Sequence, residues 1–228
     1  MRAVNVEPPQ ETGLHEGLSY ALFLPAGEPK GSLVILHGAG SSKESHFDFA
    51  RRARSAGIAT ACFDQRGHGE SGGRFDSRFI DDVGEIASLL PPGPLGLRGS
   101  SMGGYVALVA ARPVAASAVV AICPAPGRGL AAGLRTGFFD FAADPGTVEM
   151  LEREDEAEAV RELRCPLLLL HAEEDEVVPF GLSGRLAGLA PEGLCRFVPV
   201  PGGHHRSIQH DAEFQELSVR FLLDAFAA

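Results

Sequence analysis

The sequence contains no tryptophan, only four cysteines, and no apolar run that approaches the roughly 20 residues of a membrane-spanning helix. The cysteines are widely separated and form no Cys-x-x-Cys pair, so we interpret them as buried free thiols. Basic residues are also scarce, at 20 against 30 acidic residues, which gives a formal net charge of −10. This balance argues against a nucleic-acid-binding protein and against docking on anionic membranes.

The remaining composition is that of a globular protein, with 45% hydrophobic and 22% charged residues. The length of 228 residues suits one compact domain that spans residues 1–228. The amino-terminal segment MRAVNVEPPQET lacks the apolar core of a signal peptide. We therefore expect a reduced, cytoplasmic protein.

Short apolar runs alternate with helical patterns along most of the chain. The predicted strands are Leu18–Leu24, Ser32–Leu36, Ile58–Phe63, Leu95–Arg98, Ala118–Ile122, Leu167–Leu170 and Leu194–Val200. The predicted helices are Lys43–Ala56, Asp81–Leu90, Met102–Ala111, Leu182–Leu189 and Ala212–Phe226. Most runs from Ser32 onward are continuously apolar, as in parallel strands buried on both faces, whereas the first run alternates and indicates part of an antiparallel edge. This order predicts an α/β fold with a mostly parallel, doubly wound sheet.

One segment, Gly127–Leu163, is longer than a crossover helix requires. It contains Phe138, Phe139 and Phe141 and then an acidic stretch at Glu149–Glu162. We interpret the segment as a small cap-like excursion over the carboxyl edge of the sheet. Its second half has the charge pattern of a solvated acidic helix.

Residues Gly99–Gly103 match Gly-x-Ser-x-Gly, the pattern of a tight strand-to-helix turn that exposes a serine side chain. Ser101 follows a predicted strand and precedes GYVALVAA, a helix of mostly small residues. A second match at Gly69–Gly73 centres on Ser71, but it lies in a glycine-rich loop into which no strand leads. The context therefore favours Ser101 over Ser71 as a nucleophile.

A serine hydroxyl needs a base to take its proton and an acid to orient that base. In triads whose serine occupies this Gly-x-Ser-x-Gly turn, the order along the chain is Ser, acid, His. Asp175 follows a predicted strand and is the predicted acid. His205 lies on a glycine-flanked loop after the last strand and is the predicted base, with His204 as the alternative. The other acids beside Asp175 are interpreted as solvated surface residues: Glu173, Glu174 and Glu176.

Acyl transfer also needs two N–H donors for the developing oxyanion. We predict that one is the backbone N–H of Met102, directly after the nucleophile. The other is assigned to Ala39, in the loop after Ser32–Leu36, with Gly40 as the alternative. His37 is interpreted as a residue that orders this loop.

These motifs resemble those of the α/β-hydrolase superfamily. Within it, the chain is similar to the small serine esterase and peptidase-like proteins near the dienelactone-hydrolase-like and feruloyl-esterase-like branches. The resemblance rests on LHGAGSSKE (36–44), FDQRGHGESGG (63–73), GSSMGG (99–104), LLLLHAEEDEVVP (167–179) and PGGHHR (201–206). It implies Asp175 as the acid and His205 as the base. Ser101 stands where dienelactone hydrolases carry a cysteine, which weakens that branch.

The segment 63–73 resembles a family loop that borders the active site. We interpret its polar residues Asp64, Arg66 and His68 as structural rather than catalytic. A metal site would require His204, His205, His210 and Asp211 to converge, which their spacing does not demand, so no metal and no cofactor are expected.

The predicted activity is that of a serine hydrolase that cleaves esters of small soluble substrates through an acyl-enzyme intermediate. A peptidase or acyl-peptide hydrolase and a thioesterase would use the same residues, because the fold does not choose among them. A catalytically inactive hydrolase-fold receptor or scaffold is the non-enzymatic alternative. The expected partner is a small-molecule ester, with no nucleic acid and no membrane, and no sequence pattern indicates an oligomeric state.

Overall fold

The computed structural model describes residues 7–228. Residues 1–6, which begin the segment for which we expect no signal peptide, lie outside the described residues. The strands are β1 (Glu11–His15), β2 (Leu18–Phe23), β3 (Gly31–Leu36), β4 (Ile58–Phe63), β5 (Leu95–Ser100), β6 (Ala118–Ile122), β7 (Leu167–Ala172) and β8 (Cys195–Val200). The helices are α1 (Phe47–Ser55), α2 (Asp81–Ala87), α3 (Met102–Ala110), α4 (Gly127–Thr136), α5 (Pro145–Arg153), α6 (Glu156–Arg161), α7 (Gly181–Ala187) and α8 (Ala212–Phe226). Short 3₁₀ turns lie at Lys43–His46, Ser77–Phe79 and Ile208–His210.

The strands form one sheet in the order β1-β2-β4-β3-β5-β6-β7-β8. Strands β3 to β8 are parallel, while β2 runs antiparallel to both β1 and β4. The predicted α/β class with a mostly parallel sheet is thereby confirmed. The first predicted run is antiparallel as expected, but the outermost strand is β1, which the sequence analysis did not predict.

Helices cover both faces of the sheet. On one face α3 and its neighbours pack on the larger apolar cluster, and on the other α1 and α8 pack on the smaller one. Strands β3, β4 and β6 are buried along their whole length, which explains their continuously apolar sequences. Among residues 7–228, no helix has the length and apolarity that a bilayer span requires.

The excursion between β6 and β7 contains α4, α5 and α6. The acidic stretch predicted as one solvated helix is divided in two, because Asp155 leaves the helical conformation and its carboxylate accepts the Ala157 N–H to begin α6. The excursion is also less solvated than expected, since Leu151 and Val160 are buried. A β-bridge between Phe75 and Ala143 ties the excursion to the body.

The parallel arrangement sets where functional side chains can meet. Strands β3, β5, β6, β7 and β8 are consecutive neighbours and point the same way, so the loops at their carboxyl ends emerge along one edge of the sheet. In chain order these loops carry Gly38, Ser101, Cys123, Asp175 and His205.

Candidate active site

Ser101 occupies a sharp turn between β5 and α3, with φ 56° and ψ −118°. A non-glycine residue rarely holds a positive φ, and such conformations concentrate at functional sites. The motif glycines allow the close packing of this turn. A Cβ on Gly99 would lie 2.0 Å from the Gly103 carbonyl oxygen, and one on Gly103 would lie 2.2 Å from the Leu36 carbonyl oxygen. The half-buried Ser101 side chain is thus presented at the carboxyl edge of the sheet.

Ser71, the other motif serine, is engaged in structural hydrogen bonds. Its hydroxyl donates to the carbonyl oxygen of Asp64 and accepts the backbone N–H of Ser19 at 2.8 Å. These bonds fasten the glycine-rich loop to β2, whereas the Ser101 hydroxyl forms no hydrogen bond among residues 7–228.

The loop after β3 lies directly against Ser101. A Cβ placed on Gly38 would stand 3.4 Å from Ser101 Cβ and 4.0 Å from Ser101 Oγ. Ala39 is the next residue along this loop. Met102 begins α3, and the N–H groups in the first turn of an α-helix have no acceptor within the helix. Met102 therefore adjoins the serine on the chain, and Ala39 directly follows Gly38, which adjoins the serine in space.

His37 orders this loop as a neutral imidazole. Its Nε2 accepts the N–H of Gln65 at 3.0 Å, so Nδ1 carries the proton and donates to the Gly38 carbonyl oxygen at 2.8 Å. The Gln65 side-chain amide donates in return to the His37 carbonyl oxygen at 2.7 Å. Burial lowers the pKa of His37 to about 4, which keeps the ring uncharged at neutral pH.

Asp175 and His205 are hydrogen-bonded to each other. His205 Nδ1 lies 2.8 Å from Asp175 Oδ2, and the carboxylate is fully buried while the imidazole retains a small exposed fraction. His204, the alternative base, is exposed. Within residues 7–228, no hydrogen bond joins the Ser101 hydroxyl to the His205 ring, a bond that in free hydrolases is often long and tightens with substrate.

The Asp175 carboxylate stays ionised although it is buried. Burial by itself would raise its pKa, but hydrogen bonds from the Val178 N–H, from His205, from the Val177 N–H and from Cys123 outweigh burial and lower it. The Val177 and Val178 N–H groups both reach Oδ1, at 2.9 Å and 2.7 Å. A fixed negative charge therefore faces the His205 ring.

Two residues near this pair were not identified from the sequence as part of the site, Cys123 and His171. His171 Nε2 lies 2.9 Å from the Val178 carbonyl oxygen and 3.3 Å from Asp175 Oδ2, while its Nδ1 accepts the Ser183 hydroxyl at 2.6 Å. Burial lowers the pKa of His171, so a neutral ring supports the acid loop. The one feature of the sequence that could have identified His171 as part of the site is its position at the carboxyl end of a buried strand.

Glu176 is exposed, as expected for a surface acid, and its carboxylate also accepts the backbone N–H of His205 at 3.1 Å. This contact joins the acid loop to the histidine loop. Glu173 and Glu174 are exposed, as expected for surface acids.

The polar residues of segment 63–73 form a structural network. Asp64 accepts the Lys43 backbone N–H at 2.7 Å and the Lys43 ammonium at 2.9 Å. Arg66 forms a buried ion pair with Asp82 at 2.8 Å. His68 packs on Phe141 of the excursion with 4.1 Å between ring centroids. These contacts support the structural interpretation of Asp64, Arg66 and His68.

Within the described part of the chain, one group of residues has the spacing of metal ligands: Cys123, Asp175 and His205, with ligating atoms within 4.8 Å of one another. A thiol binds metal as a thiolate, and burial raises the pKa of Cys123, which opposes its deprotonation. The other candidate ligands are engaged elsewhere: His210 pairs with Asp48 at 3.0 Å and Asp211 caps α8. The donor chemistry therefore fits proton transfer better than metal binding.

Two surface cavities, of about 390 and 360 Å³, lie away from these residues. The first is lined by residues that precede β6 and β7, at the amino edge of the sheet, and the second lies between α3 and the α5–α6 region. Neither borders Ser101, so the candidate site rests on the side-chain geometry at the carboxyl edge.

Comparison with known proteins gives a family match for residues 27–140, described as serine aminopeptidase, S33. A monoacylglycerol lipase from Mycolicibacterium smegmatis is 25% identical over 238 aligned residues, covering 82% of this chain and 85% of that protein. The structure of Est1E from Butyrivibrio proteoclasticus with ferulic acid bound has a TM-score of 0.76 and 21% identity, covering 96% of this chain and 100% of its own. A monoacylglycerol lipase from Paleococcus ferrophilus has a TM-score of 0.69 and 21% identity, covering 91% and 99%.

The family match spans half of the chain and includes the Ser101 turn and the loop that contains Gly38. The structural similarity extends over nearly the whole chain and confirms the α/β-hydrolase resemblance seen in the sequence. The protein therefore belongs to the serine aminopeptidase S33 family and is a hydrolase with the α/β-hydrolase fold.

Proposed function

We propose that this protein is a serine hydrolase that cleaves carboxylic esters of small soluble substrates through an acyl-enzyme intermediate. The observation that carries the proposal is the 2.8 Å hydrogen bond between His205 Nδ1 and the buried Asp175 carboxylate, at the same sheet edge as Ser101. With Nδ1 donating to the carboxylate, Nε2 of the same ring holds the free lone pair. That tautomer suits a base for a serine hydroxyl.

In the first half of the reaction, Ser101 Oγ attacks the ester carbonyl carbon while His205 Nε2 takes the hydroxyl proton. The negative charge that develops on the carbonyl oxygen is stabilised by the backbone N–H groups of Ala39 and Met102. His205 then gives its proton to the departing alcohol oxygen as the carbon–oxygen bond breaks. The acyl group remains esterified to Ser101.

In the second half, water attacks the acyl carbon while His205 takes a proton from it, and His205 then returns that proton to Ser101 Oγ as the acyl carbon–Oγ bond breaks and the carboxylic acid leaves. Asp175 stays ionised in both halves, because its hydrogen bonds lower its pKa. Its role is to hold the imidazole in the productive tautomer and to stabilise the imidazolium that forms twice per turnover.

The excursion at residues 127–163 supports a small substrate. Phe139 and Phe141 stack on each other at 5.3 Å, and Phe141 also packs on His68, so these rings fasten the excursion to the body. Of the three phenylalanines in the excursion, Phe138 is the largely exposed one, at 75%. We propose that this segment is a small cap on a single hydrolase domain rather than a broad apolar lid.

Ester cleavage is favoured by the relatives, since two of them are named as monoacylglycerol lipases and a third was solved with ferulic acid bound. The family description, serine aminopeptidase, supports a peptidase as the second candidate. Both reactions, and thioester cleavage, would use the same triad and oxyanion donors.

The test is kcat/KM on a matched panel of an acetyl ester, the corresponding thioester and an aminoacyl amide. We expect the ester to be the best substrate and Ser101→Ala to lose at least about 10³-fold in kcat. Ser71→Ala is the matched control and should keep most activity. Full ester turnover in Ser101→Ala would refute the assignment, and a clear preference for the amide would establish the peptidase.

A further inference from the structure

Cys123 directly follows β6 at the same sheet edge as Ser101 and Asp175, and the proposed reaction gives it no part. Its side chain is fully buried, and its backbone has φ 43°, in the left-handed region that residues with a Cβ seldom adopt. The Cys123 N–H donates to the Leu170 carbonyl oxygen of β7 at 2.8 Å. The residue is therefore held against the strand that leads to Asp175.

The thiol of Cys123 lies beside the acid–base pair. Cys123 Sγ, an Asp175 carboxylate oxygen and a His205 ring nitrogen are all within 4.8 Å of one another. Besides burial, which raises the pKa of this thiol, the Ala172 backbone N–H lowers that pKa and the Asp175 carboxylate raises it. Because an S–H group is a weak hydrogen-bond donor, the Cys123 thiol is placed to turn its proton towards the Asp175 carboxylate.

Burial keeps this thiol protonated, since it raises the pKa of Cys123. A protonated thiol is a weak hydrogen-bond donor and a poor nucleophile. The chemistry therefore fits a group that donates to Asp175 rather than one that reacts with substrate.

The other ionisable groups around the pair are two histidines and one carboxylate. The neutral His171 ring lies at 3.3 Å from Asp175 Oδ2, on the side opposite its bond to Ser183. The Glu176 carboxylate contacts the backbone of His205. His204 is adjacent on the chain and exposed. Of these neighbours, Cys123 is the one whose side-chain donor can be removed while the acid loop keeps its backbone hydrogen bonds.

We propose that Cys123 is a positioning residue of the triad, an inference that rests on the proposed function. Its S–H group donates to the Asp175 carboxylate and thereby moderates the negative charge that faces His205. A carboxylate that shares its charge with an additional donor holds an imidazolium less strongly. Loss of the thiol would strengthen the attraction between Asp175 and protonated His205. The acidic limb of the kcat/KM profile would then lie at higher pH.

The experiment compares pH profiles of kcat/KM for the wild type, Cys123→Ala, Cys123→Ser and the control Cys165→Ala. Both Cys123 variants keep a Cβ at φ 43° and so carry the same backbone strain. Cys165 is a buried free cysteine at the amino end of β7, far along the strand from Asp175. Before kinetics, the wild type is tested for fluorophosphonate labelling at Ser101, and all variants for melting temperature.

In Cys123→Ala we expect the midpoint of the acidic limb to move up by about half a pH unit, so that kcat/KM falls about threefold at acidic pH and much less on the alkaline plateau. Cys123→Ser retains a donor and should restore the wild-type midpoint, and Cys165→Ala should not move it. A purely structural role would instead lower activity equally at every pH, and the serine variant, with a buried hydroxyl, would be no better than alanine.

Two failures are distinguishable. If the wild type is labelled at Ser101 but the Cys123→Ala profile runs parallel to the wild-type profile or coincides with it, the inference about Cys123 is wrong and the proposed function stands. If the wild type is not labelled at Ser101, the proposed function fails and the inference fails with it.

Discussion

His37 links the protonation of one buried side chain to the stability of the whole protein. Burial lowers its pKa from about 6.5 to about 4. Because the folded-state pKa is lowered, the unfolded chain takes up the proton more readily, so the stabilising contribution is complete above pH 6.5 and is lost as the pH falls towards 4. A shift of this size corresponds to about 3 kcal/mol.

We therefore expect acidification from pH 7 to 4.5 to lower the free energy of unfolding by about 2 to 3 kcal/mol less in His37→Gln than in the wild type. Glutamine can donate to Gly38 and accept from Gln65 but does not titrate. Urea unfolding at the two pH values measures the difference. His15→Gln, at a partly exposed site, is the control and should show the wild-type drop. An equal drop in His37→Gln and the wild type would contradict the account.

The register of the histidine loop can be tested by two single substitutions. His205 contacts Asp175, whereas the neighbouring His204 is exposed. His205→Ala should therefore lose at least about 10³-fold in kcat for ester hydrolysis, while His204→Ala should stay within about threefold of the wild type. Reversed results would mean that the base is assigned one residue too late.

Sequence patterns reached some residues of the site and missed others for a physical reason. Asp175 and His205 are polar residues on loops after strands, so their types and positions indicate chemistry. Cys123 lies in an apolar run and was interpreted only as a buried thiol. Its contact with Asp175 arises from the pairing of β6 with β7, a tertiary relation that no local spacing encodes.

Among the secondary-structure elements, the packing of α3 on the sheet determines the geometry of the turn that carries Ser101. A Cβ on Gly103 would lie 2.2 Å from the Leu36 carbonyl oxygen of β3, which is backbone and cannot easily move away. Gly103→Ala should therefore lower the free energy of unfolding by at least about 2 kcal/mol, as measured by urea unfolding.

Gly146 in α5 is the matched control, because a Cβ there meets no atom within 4 Å. Gly146→Ala should be neutral or stabilising by up to about 1 kcal/mol, since alanine favours the helix. Equal effects of the two substitutions would show that α3 does not pack on β3 as closely as described.

The packing of the excursion between β6 and β7 predicts that the protein prefers substrates with short acyl chains. Its Phe139 and Phe141 rings pack against each other and the body, which leaves little apolar surface for a long chain. In a series of nitrophenyl esters, kcat/KM should be higher for acetyl to hexanoyl than for dodecanoyl or longer esters, because methylenes beyond the pocket add little binding energy. A maximum at twelve carbons or more would point to a long-chain acyl hydrolase.

The elements missed by the sequence analysis are those with little apolar pattern. Strand β1 reads Glu-Thr-Gly-Leu-His and is mostly exposed, so it exists through its pairing with β2 and has no hydrophobic signature. The division between α5 and α6 depends on Asp155 acting as a cap, which the acidic composition of the stretch obscured. In contrast, the buried parallel strands were predictable because both of their faces must be apolar.

For the whole molecule, the order of the strands assembles the site. The parallel strands β3, β5, β6, β7 and β8 are adjacent, so residues distant in sequence reach one edge. The class of fold follows from the alternation of elements, and the place of the site follows from the rule that ligands bind at the carboxyl ends of parallel strands. What the sequence alone could not supply are the further contacts around the Asp175–His205 pair, from His171 and from Glu176.

The central claim is that this edge activates Ser101 as a nucleophile, and fluorophosphonate labelling followed by mass spectrometry of the intact and digested protein tests it most directly. The reagent reacts with an activated serine and needs no knowledge of the substrate. We predict a single adduct, located on Ser101, in the native wild type, with none after heat denaturation and none in Ser101→Ala. Absence of labelling under conditions that modify a control serine hydrolase, or an adduct on Ser71, would contradict the account.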